Sequence, residues 1–116
     1  MVSLNRHSIP YKTAFFEGDL EKALDQLDTR TVKVYLFDAT VYCYTAEEAA
    51  DLLRQVGLVV KGDYGIRCVG DYWGSNEQKL DPEIYGHLAR LEAALAERHP
   101  YKLLARFFQV VASKPL

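Results

Sequence analysis

The sequence has only two cysteines, Cys43 and Cys68, and three scattered histidines, His7, His87 and His99. Two cysteines make no disulfide scaffold, and their spacing fits no metal pattern. They read as small apolar core residues of a protein in a reducing cytoplasm. No ligand spacing links the histidines, so no metal site is expected. Nothing near Cys68 offers it a base, so it is not expected to act as a nucleophile. No apolar run approaches the ~18 residues of a membrane span, and the opening MVSLNRHSIPYK contains no apolar signal segment. The net charge is −2, too small for a whole-chain basic footprint on nucleic acid. Glycine-rich turns are missing as well. The seven glycines, Gly18, Gly57, Gly62, Gly65, Gly70, Gly74 and Gly86, stand apart, and no G-x-G-x-G follows a strand.

What is present suits one domain. The 116 residues are 49% hydrophobic and 26% charged, ordinary values for a globular chain. Residues 1–4 read as the end of a strand, followed by turn-like residues from Asn5 to Pro10. Segment 11–28 is helix-like up to Gly18. Asp19 is a fitting N-cap for Leu20, Ala23, Leu24 and Leu27. TVKVYLFDATVYCY, residues 31–44, is β-branched and aromatic and reads as one or two strands. Thr45-Ala-Glu-Glu48 is a capping box, and Gly57 suits the left-handed stop of the helix it opens. Leu58 to Val60 begins a strand. Ile66 to Val69 is expected to continue extended beyond a turn at Gly62-Asp63. Asp81-Pro82-Glu83 starts a second helix, with a stripe of Ile84, Leu88, Leu91 and Leu95. His99-Pro100 interrupts it, and Phe107 to Ala112 is a closing strand. Helices and strands alternate, so the expected class is α/β, and the few short strands look like the edge of a larger sheet.

Four stretches in fixed order carry a family resemblance. They are Ser3-Leu4-Asn5 with the helix reaching Gly18 to Leu24; Thr45 to Glu48 through Leu53 to Gly57-Leu58; Gly65-Ile66-Arg67-Cys68-Val69-Gly70-Asp71-Tyr72; and Leu91-Glu92, then Pro100 to Arg106 and Val110 to Pro115. Together they resemble the C-terminal part of class I S-adenosylmethionine-dependent methyltransferases, similar to the tRNA 5-carboxymethoxyuridine methyltransferase family. The resemblance spans nearly the whole chain. It implies the C-terminal portion of a Rossmann-like sheet with substrate-side helices, starting within the family's fifth strand. A small standalone α+β domain that oligomerises is the alternative. S-adenosylmethionine is the cofactor of the intact family enzyme, held by a Gly-rich turn and an acid on the second strand. This chain has no such turn, so alone it is expected to bind no cofactor and to be inactive. Gly70 also stands where the tRNA enzyme has a histidine.

The resemblance implies that Arg67, Asp71, Tyr72, Tyr101 and Arg106 bind substrate, whether a tRNA wobble uridine or a small molecule. Residue by residue, each has a structural alternative. Arg67, in an extended run, either fixes a carboxylate or phosphate or pairs with Asp71. Asp71-Tyr72-Trp73 either line a pocket for a planar base, or Tyr72 and Trp73 pack on the sheet edge with Asp71 as a turn residue. Tyr101 and Arg106 either hold an anionic group, or anchor a helix–strand junction with Arg106 paired to Glu92. Tyr35, Phe37, Tyr42 and Tyr44 form a lid, a core or an interface. Such a surface is expected to face either a missing N-terminal half or a partner subunit.

Overall fold

A computed structural model describes residues 1–34, 38–73 and 76–116. Tyr35, Phe37 and Gly74 lie outside the described residues. The described residues are mixed α/β and form two small antiparallel sheets. The first sheet has three strands in the order β1 (Val2–Leu4), β5 (Phe107–Ser113), β4 (Val59–Ile66). β5 runs antiparallel to both neighbours, so β1 and β4 run parallel to each other. The second sheet is the hairpin of β2 (Thr31–Val34) and β3 (Ala39–Tyr42), as the β-branched composition anticipates.

Alternation along β5 divides its side chains between two faces. Phe108 and Val110 are fully buried and pack on Ala49 and Ala50 of α3 (Ala46–Gln55). Burying two such side chains stabilises the fold by about 1.5–3 kcal/mol each. α3 starts where its capping box predicts: Thr45 Oγ1 accepts from Glu48 N at 3.1 Å, and Thr45 N donates to Glu48 Oε1 at 3.0 Å. Gly57, at φ 88°, follows it. The opposite sheet face is poorly covered. Val2 and Tyr64 both pair with Gln109, and they remain 58% and 37% exposed.

The first helical segment differs from the sequence expectation at its start. α1 (Ser8–Lys12) begins inside the stretch read as turn, with Pro10 in its first turn, where a missing N–H costs nothing. It continues as a π-helical turn, Thr13–Glu17, and stops at Gly18, whose φ is 69°. α2 (Leu20–Asp25) is capped by Asp19, whose carboxylate accepts from Lys22 N. A short α4 (Asn76–Lys79) precedes α5 (Pro82–Ala96), which Asp81 caps. α5 has no fully buried residue, and Leu91 of its apolar stripe is 45% exposed. A 3-10 turn, Tyr101–Leu104, leads into β5.

Two expectations about β4 fail together. There is no turn at Gly62-Asp63; the strand runs through, with a bulge between Val60 and Gly62. The extended run ends at Ile66, because Arg67 has φ 60°. Arg67 therefore does not lie in a strand between Ile66 and Cys68. It turns the chain off the sheet.

Candidate functional site

One cross-strand row, Leu4–Phe107–Ile66, closes the end of the three-stranded sheet. It marks the carboxyl ends of the parallel strands β1 and β4. Three connections leave the sheet there, stitched by backbone bonds. Asn5 N donates to Arg106 O at 3.0 Å, and Arg106 N donates to Arg67 O at 3.1 Å. Asn5 is buried, and its side-chain amide donates to Leu103 O and Ala105 O, both at 2.8 Å. That fixes the approach of the 3-10 turn to β5. Ser8, also buried, donates its hydroxyl to Asn5 O at 2.6 Å and accepts from Arg106 Nη1 at 2.9 Å.

Arg106 is thus held over the sheet end, 9% exposed. It is not paired with Glu92, as one sequence alternative had it. Glu92 instead gathers the loop after β4. Its carboxylate accepts from the backbone N–H of Cys68 at 2.7 Å, Val69 at 2.5 Å and Gly70 at 3.0 Å. Among the described residues, no carboxylate lies within 4 Å of the Arg106 guanidinium. Burial pulls its pKa down from the ordinary arginine value, opposed by the neighbouring Tyr72, Asp71 and Cys43.

Arg67 does pair with Asp71, at 3.6 Å, in an arrangement open to solvent at the arginine. Its guanidinium also lies 5.5 Å from the Phe107 ring centroid. Tyr72 reaches toward the first helical segment. Its ring meets Tyr11 and Phe15 of the first helical segment, at 6.3 and 6.2 Å between centroids. Its hydroxyl donates to Leu104 O at 2.5 Å. Desolvation pushes that hydroxyl up to about 12, against the pull of Ser8 and Arg106. So four of the five expected site residues, Arg67, Asp71, Tyr72 and Arg106, gather at the sheet end. Tyr101 does not join them; it heads the 3-10 turn, 52% exposed.

Sequence reasoning missed Lys12, whose ammonium is lowered by burial and then by the nearby Arg106 charge. A single lysine in a helical segment carries no spacing signal. Asn5 and Glu92 lie within the resemblance motifs, yet only the fold reveals their work on backbone groups. Of the tyrosine cluster, Tyr42 and Tyr44 stack edge-to-face at 4.8 Å. Tyr42 accepts from Arg30 Nε, and Arg30 also pairs with Glu48 of the capping box, tying the hairpin to α3.

Among the described residues the glycines are spread over separate elements rather than gathered in one turn. Gly18 and Gly57 end helical segments, and Gly62 lies at the bulge. Gly65 is packed so tightly that a Cβ would meet Ala105 Cβ at 2.9 Å. The convergent backbone N–H groups of Cys68, Val69 and Gly70 already serve Glu92. Among the described residues, no three His, Cys, Asp or Glu side chains group to hold a metal. No described helix is long and apolar enough to cross a membrane. No family model matches the chain, and no curated protein matches it.

Proposed function

We propose that this chain is the C-terminal, substrate-side portion of a class I S-adenosylmethionine-dependent methyltransferase, inactive by itself. The observation that carries the reading is the end of the three-stranded sheet. β1 and β4 end on one row, the antiparallel β5 begins on it, and Arg67, Asp71, Tyr72 and Arg106 assemble beyond it. Open α/β sheets bind ligands outside the carboxyl ends of their parallel strands. Among the described residues β1 pairs with β5 alone, and the next residue, Asn5, makes a single parallel bridge to Tyr44, so the rest of that edge is left for further strands. The thinly covered face around Val2 and Tyr64 leaves room for further helices.

In this reading the 116 residues position a methyl acceptor and exclude water, while the cofactor is held by strands supplied elsewhere. Arg67 and Arg106 supply positive charge beside the acceptor, and Tyr72 fixes the loop that presents Asp71. The acceptor is a tRNA wobble uridine or a small molecule.

A second reading is a non-catalytic α+β protein that works as a homo-oligomer. An apolar surface favours it: Phe15, Phe16, Leu20, Leu24 and Leu27 are each at least 60% exposed. Light scattering after size exclusion separates the two. The methyltransferase reading expects a one-to-one complex when the chain is mixed with the Gly-rich half of a class I methyltransferase. A tight homodimer that ignores that half favours the second reading.

A further inference from the structure

A cleft of about 360 Å³ opens between the helical segments and β2. Its lining includes four cationic side chains, Lys12, Lys22, Lys33 and Arg106, against one acid, Glu17. Lys22 is paired with Glu17 at 3.2 Å, and Lys33 with Asp38 at 3.4 Å. Lys12 and Arg106 differ: among the described residues, neither has a carboxylate within 4 Å. Asp71, whose charge both feel, is engaged by Arg67, and Glu17, whose charge Lys12 also feels, is engaged by Lys22.

Buried cations are normally paired, because desolvation otherwise costs stability. Arg106 spends Nη1 on Ser8. No buried side-chain nitrogen among the described residues lacks a partner. The remaining guanidinium nitrogens therefore reach solvent, and Arg106 lines this cleft. Thr13 Oγ1 donates to Gln26 Oε1 at 2.5 Å, which leaves the Gln26 amide N–H groups as further donors in the same wall.

We propose that the cleft holds a phosphate group, gripped by the Arg106 fork and the Lys12 ammonium. Two unmatched cations call for two negative charges, and a phosphate monoester carries about 1.5 to 2 at neutral pH. A planar donor fork beside a point charge suits a tetrahedral oxyanion better than a lone carboxylate. The site shares Arg106 with the methyltransferase reading but does not depend on it, since only side chains of the described chain take part.

The test is a titration of the ¹⁵N-labelled full chain with inorganic phosphate, and separately with acetate. The readout is the Arg106 Nε–Hε resonance together with the backbone amides of Lys12, Thr13 and Thr31. Expected is saturable phosphate binding at millimolar concentration or tighter. Acetate should bind at least about tenfold more weakly. Lys12→Met should weaken phosphate at least about tenfold, and so should Arg106→Lys, which keeps the charge but loses the fork. Lys114→Met, on the C-terminal tail, should leave it unchanged. A linear, unsaturated response to phosphate overturns the proposal. So does acetate binding as tightly as phosphate, or a Lys12→Met chain that keeps its dispersed spectrum and its affinity.

Discussion

Glu92→Ala strikes the loop that carries half of the candidate site. The carboxylate stands on α5 and reaches three consecutive backbone N–H groups, on Cys68, Val69 and Gly70, at 2.5–3.0 Å. These follow Arg67, whose left-handed backbone costs about 1–2 kcal/mol in a residue with a Cβ. Such a conformation persists only where its surroundings hold it, and Glu92 does much of that holding. Hydrogen bonds to a charged acceptor contribute about 1.5–3 kcal/mol each. The loop is only partly buried, so water recovers part of each bond in the variant. That leaves about 1 kcal/mol per bond, and about 3 kcal/mol for Glu92→Ala. Glu92→Gln should lose less, because its remaining oxygen keeps Val69 and Gly70 while its amide faces Cys68 N–H. Urea denaturation followed by Trp73 fluorescence reads both, with the midpoint falling at constant slope. A Glu92→Ala chain within about 0.5 kcal/mol of the parent would refute the reasoning.

Further predictions follow from single contacts. Gly65→Ala should destabilise by about 1–3 kcal/mol in the same assay, because its Cβ would meet Ala105 Cβ, Cys68 Sγ and Lys102 Cα at 2.9–3.0 Å. Arg67→Gly should stabilise by at most about 1 kcal/mol, since relief of the left-handed backbone is partly offset by loss of the exposed Asp71 pair and the Phe107 ring contact and by the freer unfolded chain. Alkaline pH should destabilise the fold. Burial raises the Cys68 thiol from 9.0 to about 11, so above pH 9 the unfolded chain gives up a proton that the folded chain retains. The resulting loss is at most about 2 kcal/mol near pH 10.5, and Cys68→Ala should remove it from the pH profile of the urea midpoint.

The sequence was most legible where one residue type performs one local task. Thr45 and Glu48, Asp81 with Pro82, Asp19, Gly18 and Gly57 all cap or end helical segments as their chemistry requires. β2 and β3 fall within the β-branched stretch 31–44 read as one or two strands, and β5 falls where a closing strand was expected. Backbone events with no composition signal were not. Nothing in Ile66-Arg67-Cys68 announces a positive φ at an arginine, and a bulge near Gly62 looks like a turn in one dimension. Within the site, the Arg67–Asp71 pair is a short-range contact that four-residue spacing permits. Arg106 meeting Ser8, and Glu92 meeting the 68–70 loop, span 98 and 22–24 residues. Only tertiary closure of the sheet brings such partners together. The placement of Tyr72 shows the same limit: its aromatic character predicted packing, while its neighbours on the first helical segment came from the fold.

The central claim is most directly tested by isothermal titration of S-adenosylmethionine into the purified 116 residues, alone and mixed with a Gly-rich class I methyltransferase half. The account predicts no heat of binding to the chain alone and micromolar binding to the mixture. Tight binding by the chain alone, or a mixture as inert as its parts, would contradict it.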